Sequence, residues 1–142
     1  MKDHIVIRAI AKILIPFIQL YALYVIAHGE LGPGGGFQGG VIIGASFILY
    51  VIAFGLTDAR KRTSEAVTDV LNSTGVLIYA AIGVICMIAG GAFLEYTSLP
   101  LGGKKIASQL GIYGIEIGVG LAVAAVMITI FFETSRFDDE DD

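Results

Sequence analysis

The sequence predicts an all-α integral membrane protein, a bundle of four transmembrane helices with small-xxx-small packing columns. Three observations predict it. The 142 residues have a mean hydropathy of +0.82, with 56% hydrophobic and 15% charged residues, more apolar surface than a soluble domain of this length hides. Four apolar segments each reach the roughly 20 residues that a helix needs to cross about 30 Å of hydrocarbon. Small residues recur at every fourth position in two of those segments. That spacing lets helix backbones approach in lipid, where hydrophobic burial cannot drive their association.

The first span runs from Ile5 to Ala27. Lys12 and Pro16 interrupt it, it is too long for the apolar region of a signal peptide, and no clear small-x-small cleavage site follows. It therefore reads as a spanning helix. The polar rim His28-Gly-Glu30 leads into Gly32-Pro-Gly-Gly-Gly-Phe-Gln-Gly-Gly40, which carries six glycines. A mere connection between two membrane helices does not need that density. It marks a turn where another backbone, or an ion, comes close.

The second span, Phe37 to Thr57, follows Gly36 and carries Gly40 and Gly44 in the same column. Between the second and third spans, Thr63 to Leu71 places Ala66, Val67, Val70 and Leu71 on one face, the pattern of a short interfacial helix. Asn72-Ser-Thr74 supplies N-cap chemistry for a third span from Gly75 to Glu95, whose glycines Gly83, Gly90 and Gly91 are less regularly spaced. The fourth span, Leu110 to Phe132, is two-sided. Gly114, Gly118 and Ala122 lie on one face, and Tyr113, Glu116, Gly120 and Met127 on another. One membrane domain, residues 1–135, thus takes nearly the whole chain. Residues 136–142 form an acidic tail, read as a solvated cytoplasmic end.

Seven of the nine Lys and Arg residues fall on one side of this topology: Lys2, Arg8, Lys12, Arg60, Lys61, Arg62 and Arg136. Lys104 and Lys105 fall on the other. The positive-inside tendency then places both termini in the cytoplasm and the glycine turn on the opposite side.

Several motifs of soluble enzymes lose their meaning in this setting. Gly34-x-Gly36-x-x-Gly39 matches the dinucleotide fingerprint, but that motif needs a preceding strand, and here both flanks are apolar helices. Cys86 is the single cysteine, so neither a cysteine-only cluster nor an internal disulfide can form within the chain. His4 and His28 lie at opposite ends of the first span. No catalytic triad or HExxH pattern is present. Redox chemistry, if any accompanies this chain, belongs to a partner.

Ionisable residues within or at the rim of a membrane are costly and are functional candidates by default. Glu116 is the foremost. A carboxyl at its depth either keeps its proton or finds a cationic or polar partner, so it reads as an ion-path group or as a structural carboxyl bonded to a neighbouring helix. Lys12 lies four residues before Pro16, whose ring leaves the Lys12 carbonyl without its helix bond. It reads as part of a polar cavity or as a cation snorkelling to the interface. His28 and Glu30 sit at the rim beside the glycine turn, as ion-collecting or merely solvated groups. Glu95 and Glu133 mark helix ends.

The turn Gly32-Pro-Gly-Gly-Gly-Phe-Gln-Gly-Gly40, with its histidine-containing rim and the apolar helix that follows, resembles the hallmark of the B subunit of Mrp-type multisubunit Na+/H+ antiporters. The resemblance extends over roughly Ile5 to Phe132. Pro33, Gly34, Gly35, Gly36, Phe37, Gln38, Gly39 and Gly40 carry it. It implies a small four-helix subunit in the cell membrane of a prokaryote, exchanging cations for protons only within a large assembly of other membrane subunits. It brings no ion-binding residue with it, only this loop as a marker; no catalytic residue, metal site or cofactor is expected in this chain, and Na+ and H+ are the expected transported ions. Similar subunits occur in the membrane arms of energy-converting hydrogenases and sulfur-reducing complexes, so nickel–iron and iron–sulfur centres are expected only in partners.

Three readings of function follow: an ion-translocating subunit with Glu116 on its path, a structural subunit whose glycine-rich helices position larger pumping subunits, and the membrane arm of a redox complex. A self-sufficient four-helix drug exporter fits less well. The first span has no membrane carboxylate, and the chain has no Trp to stack on aromatic cations.

Overall fold

A computed structural model describes residues 2–29 and 34–138. Among the described residues there are five α-helices: α1 (Lys2–Ala27), α2 (Gly36–Phe54), α3 (Leu56–Arg62), α4 (Glu65–Ile88) and α5 (Lys104–Asp138), with a 3₁₀ turn at Tyr96–Ser98. No strand occurs among the described residues. Four of the helices, α1, α2, α4 and α5, are long and apolar enough to cross a membrane. Glu30, Pro33 and the last four residues of the acidic tail lie outside the described residues.

α1 runs through Pro16 without a break and has its apolar span at Ile5–Ala27, where the sequence places it. α2 stops at Phe54, before the expected Thr57, because Gly55 adopts φ +96 and turns the chain straight into α3. The short helix of this loop is therefore Leu56–Arg62 rather than Thr63–Leu71. Ala66, Val67, Val70 and Leu71 belong to the first turns of α4, which starts at Glu65 rather than Gly75. Asn72, Ser73 and Thr74 sit inside that helix. The break that starts α4 is the extended backbone at Thr63 and Ser64, and from Glu65 no proline interrupts helix propagation through the polar positions.

The third span also ends early, at Ile88, where Gly90 adopts φ +90. The chain then folds back on the bundle instead of extending the helix to Glu95. Phe93 packs against Gly83 and meets Tyr79 edge-on at 6.2 Å. The Glu95 carboxylate accepts the Ala92 N–H at 2.8 Å, and Tyr96 lies over Gly111. α5 begins at Lys104, ahead of the expected Leu110.

In space the spans follow the order α1, α2, α5, α4, so the last helix is wedged between two earlier ones. α2 and α5 run parallel. Gly36 lies against Glu116, Gly40 against Gly120, and Gly44 against Ala124 and Met127, so the predicted glycine column of α2 is the seam with α5. α4 crosses the other face of α5 in the opposite direction. There Gly75 meets Gly118 and Ala122, and Ile82 covers Gly114. The two faces read from the fourth span thus meet two different helices.

Most buried side chains along these seams are small, including Ala22, Ser46, Cys86, Ala107 and Ala125. This is the packing expected where dispersion between close backbones holds helices together. The buried hydroxyls of Ser46 and Thr68 donate to carbonyls of their own helices, Ile43 at 2.7 Å and Glu65 at 2.8 Å. A larger apolar cluster lies where α3 turns back on the bundle: Val51, Ala59, Ile128 and Phe132, flanked by Phe47, Tyr50, Leu56 and Phe131.

Candidate functional site

α2 begins where the glycine loop ends, and the N–H groups of a first helical turn have no partner within their own helix. In this protein the Gly36 N–H donates to the Glu116 carboxylate of α5. The helix start also carries partial positive charge, which favours a carboxylate there. Glu116 therefore caps a neighbouring helix from a position 80 residues along the chain.

Glycine is required around this contact for two separate reasons. Gly35 adopts φ +147, which side chains with a Cβ rarely tolerate, and a Cβ there would also run into the Glu116 carboxyl. Gly36 is helical, but its Cβ would strike the Glu116 backbone carbonyl, so the main chains of α2 and α5 touch. The exit turn of α1 closes the third side. A Cβ on Gly29 would lie 2.9 Å from the Glu116 Cδ and 2.9 Å from the Gly35 Cα.

An open cleft of about 330 Å³ leads to the carboxyl, lined by Gly34, Gly35, Phe37, Gln38, Ile115 and Glu116. Glu116 sits about 18 Å along α5 from Lys104, yet it is level with the first residue of α2. The carboxyl thus stands at the start of α2, beside Gly34 and Gly35. Such a group can exchange a proton or hold a cation against its oxygens, with the Gln38 amide lining the same cleft.

The structure brings Gly34, Gly35, Gly36, Phe37 and Gln38 together with Glu116 and sets the other candidates apart. Gly39 faces α1 at Ile26 and the Ala22 carbonyl, and Gly40 faces Gly120. His28 is exposed and stacks on Tyr24 with ring centroids 5.0 Å apart. Lys12 is exposed at the opposite end, in a groove shared with Tyr50 and Arg62. Among the described residues no group of three or more His, Cys, Asp or Glu is placed to hold a metal.

Sequence reasoning missed two things. One is Gly29, whose closeness to Glu116 is written only in the way α1 ends. The other is a set of arginines stacked on aromatic rings at the cation-rich end: Arg8 over Phe54 at 6.0 Å, Arg60 over Phe132 at 5.5 Å and Arg62 over Tyr50 at 5.2 Å. Aromatic side chains near span ends, beside a basic loop, are the signal that points to such pairs.

Residues 6–129 match a family described as a domain related to the MnhB subunit of Na+/H+ antiporter. A protein of Staphylococcus haemolyticus (strain JCSC1435), provisionally named antiporter subunit mnhB2, is 29% identical over 140 residues, covering 94% of this chain and 96% of its own. The protein of the same name from Staphylococcus aureus (strain Newman) is 29% identical over 138 residues, with the same coverage of both chains. The family match takes in the glycine loop, Glu116 and most of all four spans, and the chain belongs to the MnhB family.

Proposed function

We propose that this chain is a membrane subunit of a multisubunit Na+/H+ antiporter and that Glu116 is the carboxyl by which it takes part in ion movement. Family membership supports the first part. The second rests on one observation: the Glu116 carboxyl lies at the end of an open cleft, held by the Gly36 N–H beside Gly34 and Gly35. A carboxyl that can be reached from one end and is bonded to the start of a helix can change its proton or its cation as the gradients on the two sides change. The driving force is large enough, since one charge crossing 100 mV is worth about 2.3 kcal/mol. In this reading the chain works with other membrane subunits in the cytoplasmic membrane, with both termini inside, and Na+ and H+ are cargo. The names of the relatives favour an antiporter over the membrane arm of a hydrogenase-type complex.

A second reading has its own observation in favour of it. The same bond clamps α5 to α2, so Glu116 serves equally well as a structural carboxyl. Glu116→Gln separates the two, because the amide oxygen still accepts from Gly36 whereas the side chain no longer ionises. The complex is expected to assemble normally and to lose Na+/H+ exchange, measured as ΔpH-dependent exchange in everted vesicles. Exchange at the wild-type rate in the assembled variant would leave only the clamp.

A further inference from the structure

The end of the bundle away from Glu116 carries a different kind of site. An open groove of about 650 Å³ lies between α1 and the elbow joining α2 to α3. Lys12 and Gln19 line it from α1, Phe47, Tyr50 and Phe54 from α2, and Arg62 from the end of α3. None of the described residues lining it is acidic. Lys12 and Arg62 are exposed, and Arg62 is set over the Tyr50 ring at 5.2 Å. Arg8 ties the adjoining part of α1 to the end of α2, donating its Nε–H to the Ala53 carbonyl at 3.0 Å.

Two cations above aromatic and aliphatic walls, at the end of spanning helices, match an anionic headgroup with the start of its acyl chain. Long cationic side chains near span ends place their charge at headgroup level, and basic pockets between membrane helices take anionic lipids. We propose that this groove binds one anionic phospholipid, its phosphate between Lys12 and Arg62 and an acyl chain along Phe47, Tyr50 and Phe54.

The test uses the assembled complex in proteoliposomes of phosphatidylcholine with a minor share of phosphatidylglycerol. Photoactivatable forms of the two lipids serve as probes. Labelling within residues 47–54 should be stronger with the phosphatidylglycerol probe. In Lys12→Gln/Arg62→Gln that labelling should fall roughly tenfold while phosphatidylcholine labelling stays unchanged. Lys12→Arg/Arg62→Lys keeps both charges and should retain the preference, which separates loss of charge from misfolding. Equal labelling by the two probes, or a preference that survives removal of both charges, overturns the proposal. A cross-link from a photoreactive residue at Gln19 to a partner subunit, in place of lipid, overturns it as well.

Discussion

The backbone N–H of Gly36 donates to the carboxylate of Glu116, which ties the first turn of α2 to α5 at the point where the two main chains touch. The contact has no room for even a methyl group on the glycine. Gly36→Ala places its Cβ against the Glu116 carbonyl, and overpacking of this kind costs typically 1–3 kcal/mol, more where the obstacle is backbone. We expect the variant chain to drop out of the complex, seen as loss of the assembled band on a native gel. Gly90→Ala is the control. Gly90 has φ +90 with nothing within 4 Å, so it carries only a backbone penalty of about 1–2 kcal/mol and should still assemble.

The opposite face of α5 gives an independent test. Gly75 and Gly118 meet where α4 crosses α5, and a Cβ on Gly118 would lie 2.9 Å from the Gly75 carbonyl. Gly118→Leu should abolish assembly and Gly118→Ala should weaken it. Gly40→Ala acts on the α2 seam instead, where its Cβ would lie 2.7 Å from the Gly120 carbonyl. The two alanine variants act on different helix pairs, so their effects on the unfolding free energy of the complex should add to within about 0.5 kcal/mol. Strong coupling between them would mean that α5 shifts as one body when either seam is opened.

Both seams were legible in the sequence because small residues four apart announce close packing whatever the partner. The separation of Gly114, Gly118 and Ala122 from Glu116, Gly120 and Met127 follows from helix geometry alone. The partner of Glu116 was not legible, since Gly36 is 80 residues away and the glycine density signals a close approach without saying to what. The start of α4 was misread for a physical reason. Asn72-Ser-Thr74 has the chemistry of a cap, yet a cap needs a helix that has not already begun, and α4 begins at Glu65. The spatial order of the spans, with α5 between α2 and α4, lies beyond any local pattern.

Tyr96 supplies a pH dependence outside the spans. Burial of its ring raises the phenol pKa above its usual 10.0, with smaller contributions from Tyr79 and Cys86. The fold therefore holds the neutral phenol more tightly than the unfolded chain does. The stabilisation is complete below pH 10.0 and is lost as pH rises from there through the folded-state value. Thermal unfolding of the complex followed upward from this pH should fall less steeply in Tyr96→Phe than in the wild type. Parallel curves for the two would show that Tyr96 ionises without resistance from the fold.

Phe132 anchors the cation-rich end, and its ring offers a measurable test of whether the arginine stacking contributes. It is 2% exposed, meets Phe47 edge-on at 5.6 Å and lies under the Arg60 guanidinium at 5.5 Å. In a membrane, lipid replaces water as the surroundings of the unpacked ring, so the transfer part of a truncation largely disappears and the void remains. At about 24 cal/mol per Å³, a ring-sized void in Phe132→Ala costs about 2–3 kcal/mol. Phe132→Leu fills most of that space and should cost about 1 kcal/mol, chiefly the lost aromatic and cation–π contacts. A double-mutant cycle with Arg60→Met, read by thermal unfolding of the complex, should give a coupling of about 0.5–2 kcal/mol between the two side chains. A coupling near zero would mean that Arg60 rests on the ring without stabilising the elbow of α3, leaving the apolar cluster of Val51, Ala59 and Ile128 to hold it.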